Sequence, residues 1–253
     1  MFADDTTLYL TNKCIHSLER TLNSELENVA SWLRVNKLLL NIQKTSAMLF
    51  SNSASNNLLH LHVNNVNVTF VNKLRFLGVY IDNKLMWKYH IESIACKISK
   101  VIGMINKIKG NVSRNVMINL YYIFVSPYLN YCNLVWGNAA HVHINKLHIL
   151  QKRIVRIICK VNFREHTKEL FSNINVLNVF DIYKYNVNLF MFKHYKNLLP
   201  LAIAEIFTFI SSDLRYPSRS QSLYVDFFVE QRLECGPFRI RELYCSIRYS
   251  IAL

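Results

Sequence analysis

The sequence predicts an α+β fold. Three observations carry that expectation: short β-branched and aromatic runs crowd residues 45–81, apolar stripes of helical period flank them on both sides, and chain breakers are scarce. With 5 Gly and 4 Pro in 253 residues, collagen-like and low-complexity architectures are excluded. Apolar residues make up 51% and charged residues 18%, which excludes a disordered chain. That length fits one large domain or two to three small ones and can bury most of its apolar surface.

The elements follow in order. Thr6 to Leu10 is a short β-like run, and Thr11 or Asn12 can cap a helix. Ile15, Leu18, Leu22, Leu26, Val29, Ala30 and Leu33 then define one helical face that ends near Asn36, with Glu19, Glu25 and Glu27 off it. Thr45–Phe50, Leu58–Val63, Val66–Phe70 and Leu74–Ile81 read as strands of a small antiparallel sheet, separated by Asn and Ser clusters. Residues 51–57 are the most loop-like of the chain. After Asp82, Ile91, Ile94, Ala95, Ile98, Val101, Ile102, Ile105 and Ile108 form an unbroken stripe. A second helical stretch runs from Ser113 to Val135 with a kink or break at Pro127, and a third from Ile144 to Lys160. Helices are also expected at Thr167–Phe171 and Val179–Leu198, whereas residues 211–253 give no clear pattern.

Charge narrows the partners. Lys plus Arg is 30 and Asp plus Glu is 16, a net +14 that favours a polyanion, with nucleic acid ahead of a membrane surface. Lys97, Lys100 and Lys107 fall off the stripe of their helix, and Lys152, Arg153, Arg156 and Lys160 surround the stripe of theirs. Any single lysine reads as a solvated side chain; the set reads as a duplex-binding surface. These helices lack the Trp/Phe edge of interfacial helices, so no membrane partner is expected. The longest apolar run, Leu198 to Ile210, contains Pro200 and Glu205 and is too short to cross a bilayer. Six cysteines without a CxxC pair read as free, mostly buried thiols in a reducing compartment, nucleus or cytoplasm. No secretory signal is visible.

Candidate chemistry begins at Asp4 and Asp5. Adjacent carboxylates in a tight turn repel each other, and a divalent cation relieves that repulsion. Taken alone, such a pair is more often a solvated turn or a helix start. His60-Leu61-His62 and His141-Val142-His143 each place two histidines on one side of an extended strand, a zinc-compatible spacing, but no third ligand stands nearby and ordinary surface histidines are expected. Trp32, Trp87 and Trp136 read as core anchors.

The downstream blocks raise the weight of the acidic pair. Phe2-Ala3-Asp4-Asp5-Thr6-Thr7-Leu8 resembles the aromatic-Ala-Asp-Asp catalytic turn of reverse transcriptases. Ser31-Trp32-Leu33 through Asn41-Ile42-Gln43-Lys44-Thr45 is similar to the next block of non-LTR retrotransposon enzymes, a tryptophan-bearing helix leading into Asn-x-x-Lys-Thr. Leu74-Arg75-Phe76-Leu77-Gly78-Val79-Tyr80-Ile81-Asp82, then Leu85, Trp87, His90 and Ile91, resembles the primer grip and the start of the thumb. Tyr121 through Trp136-Gly137 and Leu150-Gln151-Lys152-Arg153-Ile154-Val155-Arg156 look like the segment that follows the thumb. The nearest resemblance is to jockey-like elements of animals, over nearly the whole chain.

The resemblance implies a palm remnant over residues 1–82, a helical thumb with basic helices over 83–165, and a truncated helical or irregular region over 166–253. It implies Asp4 as the main Mg²⁺ ligand and Asp5 as its neighbour, with Phe2 packed beneath the turn. Lys44 would lie near the phosphates of the incoming deoxynucleotide, as general acid or charge stabiliser. Phe76, Leu77 and Gly78 would form the primer grip, Gly78 allowing close backbone approach inside a strand. The implied partners are an RNA template and a DNA primer, and the implied reaction is two-metal nucleotidyl transfer. The family also needs an earlier palm aspartate and the fingers, which these residues do not include. Both abrupt ends suggest a fragment, inactive alone. The alternative is a non-catalytic nucleic-acid-binding relic that grips duplex through its basic helices.

Overall fold

The structure, a computed structural model, describes residues 5–12, 14–50, 59–204 and 246–252, with the backbone alone at 5, 202 and 246–252. The chain divides into two compact units: Met1–Leu85 with Val225–Leu253, and Met86–Tyr224.

The first unit is built on strands β1 (Asp5–Thr11), β2 (Ser46–Leu49), β3 (His62–Val63), β4 (Val66–Asn67), β5 (Thr69–Phe70), β6 (Lys73–Phe76), β7 (Val79–Asp82) and β8 (Ser246–Ala252), with helix α1 (Ile15–Val35) after β1. Strands β1, β8, β2 and β5 form one sheet in that order, while β3–β4 and β6–β7 are separate two-stranded hairpins. All pairs are antiparallel except β2–β5. The α+β class is as the sequence predicts. Strand β8 falls in the stretch that sequence patterning leaves open, and the expected loop at 51–57 lies outside the described residues.

Helix α1 buries Leu18, Leu22, Leu26, Ala30 and Leu33, spaced by three or four residues. Its N-cap is Cys14, which makes no side-chain capping bond. Asn12 acts two residues before the cap: its Oδ1 accepts the Cys14 N–H at 2.9 Å and its amide donates to Ser17 Oγ at 3.0 Å. Polar side chains of α1 also serve as a neighbour for the chain at 60–62. Glu19 Oε1 accepts the His60 N–H at 3.0 Å, and Asn23 donates to the His60 carbonyl at 3.0 Å and accepts the His62 N–H at 3.1 Å. Beneath these bonds Leu59, Leu61, Val63, Val68 and Ala47 join the buried face of α1 in one cluster. Trp32 is not a core anchor: it is 51% exposed, because it sits a full 100° around the helix from Leu33.

The second unit is helical: α2 (Lys88–Ile108), α3 (Arg114–Phe124), α4 (Ser126–Asn130), α5 (Asn133–Trp136), α6 (His141–Cys159), α7 (Lys168–Asn173), α8 (Val179–Tyr195) and α9 (Leu201–Ala204). The isoleucine stripe of α2 is buried and joins Met117, Tyr121, Leu129, Trp136, Leu147, Ile154 and Ile158 in one core. Ser113 caps α3 by accepting the Val116 N–H, and Pro127 lies in the first turn of α4, where a missing N–H costs nothing. Asn178 caps α8 by accepting the Phe180 and Asp181 N–H groups at 3.0 and 3.1 Å. Trp136 is a core anchor, fully buried with its indole N–H donated to the Tyr131 carbonyl at 2.8 Å. Cys14, Cys96 and Cys132 are free but exposed, and Cys159 is half-buried. Cys96 lies between Ile94 and Ile98, off the apolar stripe, which is why burial fails there.

At the centre of this unit Gln151 is wholly buried. Its Nε2 donates to the Tyr121 hydroxyl at 2.7 Å and to the Leu177 carbonyl at 2.8 Å, and its Oε1 accepts the Val179 N–H at 2.9 Å. Burial holds the Tyr121 hydroxyl well above the usual phenol range, so it stays neutral. Gln151→Leu should strip partners at once from the buried Tyr121 hydroxyl and Val179 N–H and from the part-buried Leu177 carbonyl, and cost about 2–4 kcal/mol. Urea unfolding measures this; a loss smaller than about 0.5 kcal/mol would contradict it.

His90 is buried edge-on to the Trp136 ring, with centroids 5.6 Å apart. Burial first, and the Lys97 charge second, lower its pKa to about 4. The unfolded imidazole takes its proton near pH 6.5, so between there and about 4 the unfolded state binds more protons. Stability is full above pH 6.5 and lost as pH falls toward 4, by about 1–3 kcal/mol. Urea midpoints across this range should drop in the native chain and drop less in His90→Phe.

Candidate functional site

The sheet register decides which sequence-predicted residues meet. Ser250 of β8 pairs with Thr7 of β1 on one side and with Ser46 of β2 on the other. Thr7 and Ser46 are therefore level, two strand spacings apart, or roughly 10 Å. β1 and β2 run the same way, both antiparallel to β8; Asp5 lies two residues before Thr7, opposite Ala252, and Lys44 two residues before Ser46. Both reach the same edge of the sheet. Asp5 is described by its backbone only, and Asp4 and Phe2 lie outside the described residues.

Lys44 is positioned by the turn that precedes β2. Asn41 Oδ1 and Asn41 O each accept the Lys44 N–H at 3.2 Å, and Asn41 O also accepts the Thr45 hydroxyl at 3.0 Å. Thr45 is buried while Lys44 is exposed. The Asn-x-x-Lys-Thr spacing thus has a local cause: the asparagine closes the turn, the threonine anchors it, and the lysine between them points to solvent.

Phe76, Leu77 and Gly78 come together at the tip of the β6–β7 hairpin. Phe76 pairs with Val79, leaving Leu77 and Gly78 as a two-residue loop. Both have positive φ, 45° and 83°. Gly78 is therefore a turn residue and not, as expected, a glycine inside a strand. Positive φ at both loop positions matches the twist of a tight hairpin, and a leucine there holds strain that glycine does not. Gly78→Ala should destabilise the sheet unit by about 1 kcal/mol or more, with Gly78→Asn milder; thermal unfolding reads the order.

The predicted basic residues do not share one surface. Lys97, Lys100 and Lys107 are exposed on α2; Lys100 and Lys107 lie opposite its buried stripe, while Lys97 lies on the flank with its Nζ 5.0 Å from the Tyr128 ring centroid. Arg153, Arg156 and Lys160 instead line a cleft at the ends of α2 and α6, together with Lys109. Lys152 is half-buried on α6, outside that cleft, close enough to lower the pKa of His148 after burial has done so. Sequence reading missed Lys109, which stands just past the periodic part of its helix.

Helix α6 carries Lys146, Lys152, Arg153 and Arg156 and no acidic residue. His141 and His143 begin this helix and so do not share a strand face; His141 stacks on Phe180 at 5.2 Å. Among the described residues no three His, Cys, Asp or Glu side chains come together as a metal group. Nor, among them, is any helix long and apolar enough to cross a membrane.

The chain is similar to RNA-directed DNA polymerases of mobile elements. It is 24% identical over 183 residues to the RNA-directed DNA polymerase from mobile element jockey of Drosophila funebris, a match covering 71% of this chain and 20% of that protein. To the Drosophila melanogaster jockey polymerase it is 25% identical over 179 residues, 69% of this chain and 19% of that one. To the probable RNA-directed DNA polymerase from transposon X-element of Drosophila melanogaster it is 21% identical over 184 residues, 71% of this chain and 20% of that one. The chain spans about a fifth of the length of the curated relatives it matches. No family model matches it. No solved structure matches it either. The jockey-like resemblance read from the motifs is thus met by similarity along most of the chain.

Proposed function

We propose that the chain is a piece of an RNA-directed DNA polymerase of a non-LTR retrotransposon, with the distal palm in the sheet unit and the thumb in the helical unit. The observation that carries this reading is the register that brings Asp5 and the Asn41–Thr45 turn to one sheet edge. A nucleotidyl-transfer site needs carboxylates for its metal ions close to a cation that can face the phosphates. The similarity to jockey polymerases supports the same reading.

The parent reaction is RNA-templated extension of a DNA 3′ end. The 3′ oxygen attacks the α-phosphorus of the incoming deoxynucleotide and pyrophosphate leaves. Asp4 and Asp5 supply carboxylate oxygens, the hard donors that Mg²⁺ takes, so the pair fits that ion in kind. Bound there, Mg²⁺ would stabilise charge on the attacking and leaving oxygens. Lys44 meets the triphosphate as a charge stabiliser or general acid. Phe76 and the Leu77-Gly78 tip hold the primer end. Lys97, Lys100, Lys107 and Lys152 neutralise phosphates of the template-primer duplex, with Arg153, Arg156 and Lys160 adding to the field. In this reading the chain alone does not catalyse, because the earlier palm aspartate and the fingers are not among its residues.

The test is primer extension on an RNA template with Mg²⁺, run beside duplex binding. The purified chain and its Asp4→Ala variant should both fail to incorporate nucleotide. Both should bind duplex with an affinity that falls about 100-fold between 50 and 200 mM salt. Incorporation by the chain that Asp4→Ala abolishes would overturn its inactivity. A flat salt response would remove the duplex grip. Supplying the upstream palm and fingers of a jockey-like polymerase should restore synthesis; failure to do so would make the chain a non-catalytic relic.

A further inference from the structure

Four cations surround one cavity in the helical unit. Lys109 follows α2, Arg153 and Arg156 lie in the last two turns of α6, and Lys160 caps α6 with a left-handed backbone, φ 54°. The cavity holds about 520 Å³. Its wall includes the half-buried Ile157, and Phe163 stands at it 73% exposed. Among the described residues, no carboxylate forms a salt bridge with any of the four. Arg156 is nonetheless fixed in place, its Nε donated to the Glu165 carbonyl at 2.9 Å. Arg164 lies over the Phe163 ring, 5.2 Å from the centroid.

These features select a ligand. Four cations at one cavity, none of them in a salt bridge among the described residues, favour an anion, and a forked guanidinium held by its Nε presents its outer nitrogens in the geometry of a phosphate. The volume lies in the range of a small-molecule pocket. A duplex, with its bases stacked inside, can lay only phosphates across the mouth. An unpaired nucleotide can enter, and the exposed ring of Phe163 offers its base a stacking face that every base fits.

We propose that the cleft between the ends of α2 and α6 binds an unpaired nucleotide of a single-stranded polynucleotide, phosphate against Arg153, Arg156, Lys160 and Lys109, base against Phe163. This deepens the polymerase reading and rests on it for one premise, that the helical unit binds nucleic acid. It adds a second mode, separate from the duplex grip on the exposed side of α2.

The experiment measures binding of the full chain to an unstructured RNA ten-mer and to the same ten-mer paired with its DNA complement, at low salt. Phe163→Ala should weaken the single strand about tenfold and leave the hybrid within about twofold. Phe163→Tyr keeps a stacking face and should restore single-strand affinity. The exposed side chain makes both variants safe for the fold. Single-strand affinity unchanged by Phe163→Ala, or both ligands weakened equally, would overturn the cleft while leaving duplex binding intact. Absence of binding to either ligand would overturn the shared premise and the cleft with it.

Discussion

The amide of Gln151 ties together three parts of the helical unit from within its apolar core. It is fully buried on α6, and its three hydrogen bonds reach α3 through Tyr121 and the start of α8 through Leu177 and Val179. Apolar packing is non-directional and would tolerate α6 rotated or slid by a fraction of a turn. An amide with one acceptor and two donors in use does not. Its position fixes how α6 faces its neighbours, and so fixes which way Arg153 and Arg156 emerge. The cationic surface inherits its geometry from a neutral residue in the core.

The sheet unit uses the same device with asparagine. Asn23 pairs with the backbone at 60–62, Asn41 closes the turn before β2, and Asn12 orders the entry to α1. In each place a side-chain amide stands where another strand or a water would otherwise be needed. Short strands with few ladder bonds can then hold a definite shape. The turn at Asn41 shows how such bonding serves chemistry, since it presents Lys44 outward from a backbone pinned on either side.

The helices were legible because periodicity is local. Leu18 to Leu33, the α2 isoleucines and the α6 stripe each announce a buried face within a few turns, and Pro127 marks the break between α3 and α4. The same periodicity, read strictly, also excludes Trp32 and Cys96 from the core; residue type misled where angle did not. The strands up to β7 were legible as strands but not as partners, and β8 was not legible at all. The parallel match of β2 with β5 and the insertion of β8 depend on residues far apart in the chain. Of the candidate site, Lys44 and the hairpin tip could be read from motif spacing. The cleft could not, because Lys109 and Phe163 meet the α6 arginines only once two helices are packed side by side.

Strand β8 lies between β1 and β2, although more than two hundred residues separate it from β1 in the chain. Each of its neighbours is hydrogen-bonded to it rather than to the other. On a ribosome, β1 and β2 are made well before β8 and cannot be joined until it emerges, while the intervening helices, dominated by short-range contacts, can fold as they appear. Until then β1 and β2 present open edges, the condition that invites pairing with another chain. Removing β8 would therefore leave two facing strand edges open at once, and turn a folding constraint into a standing site for association.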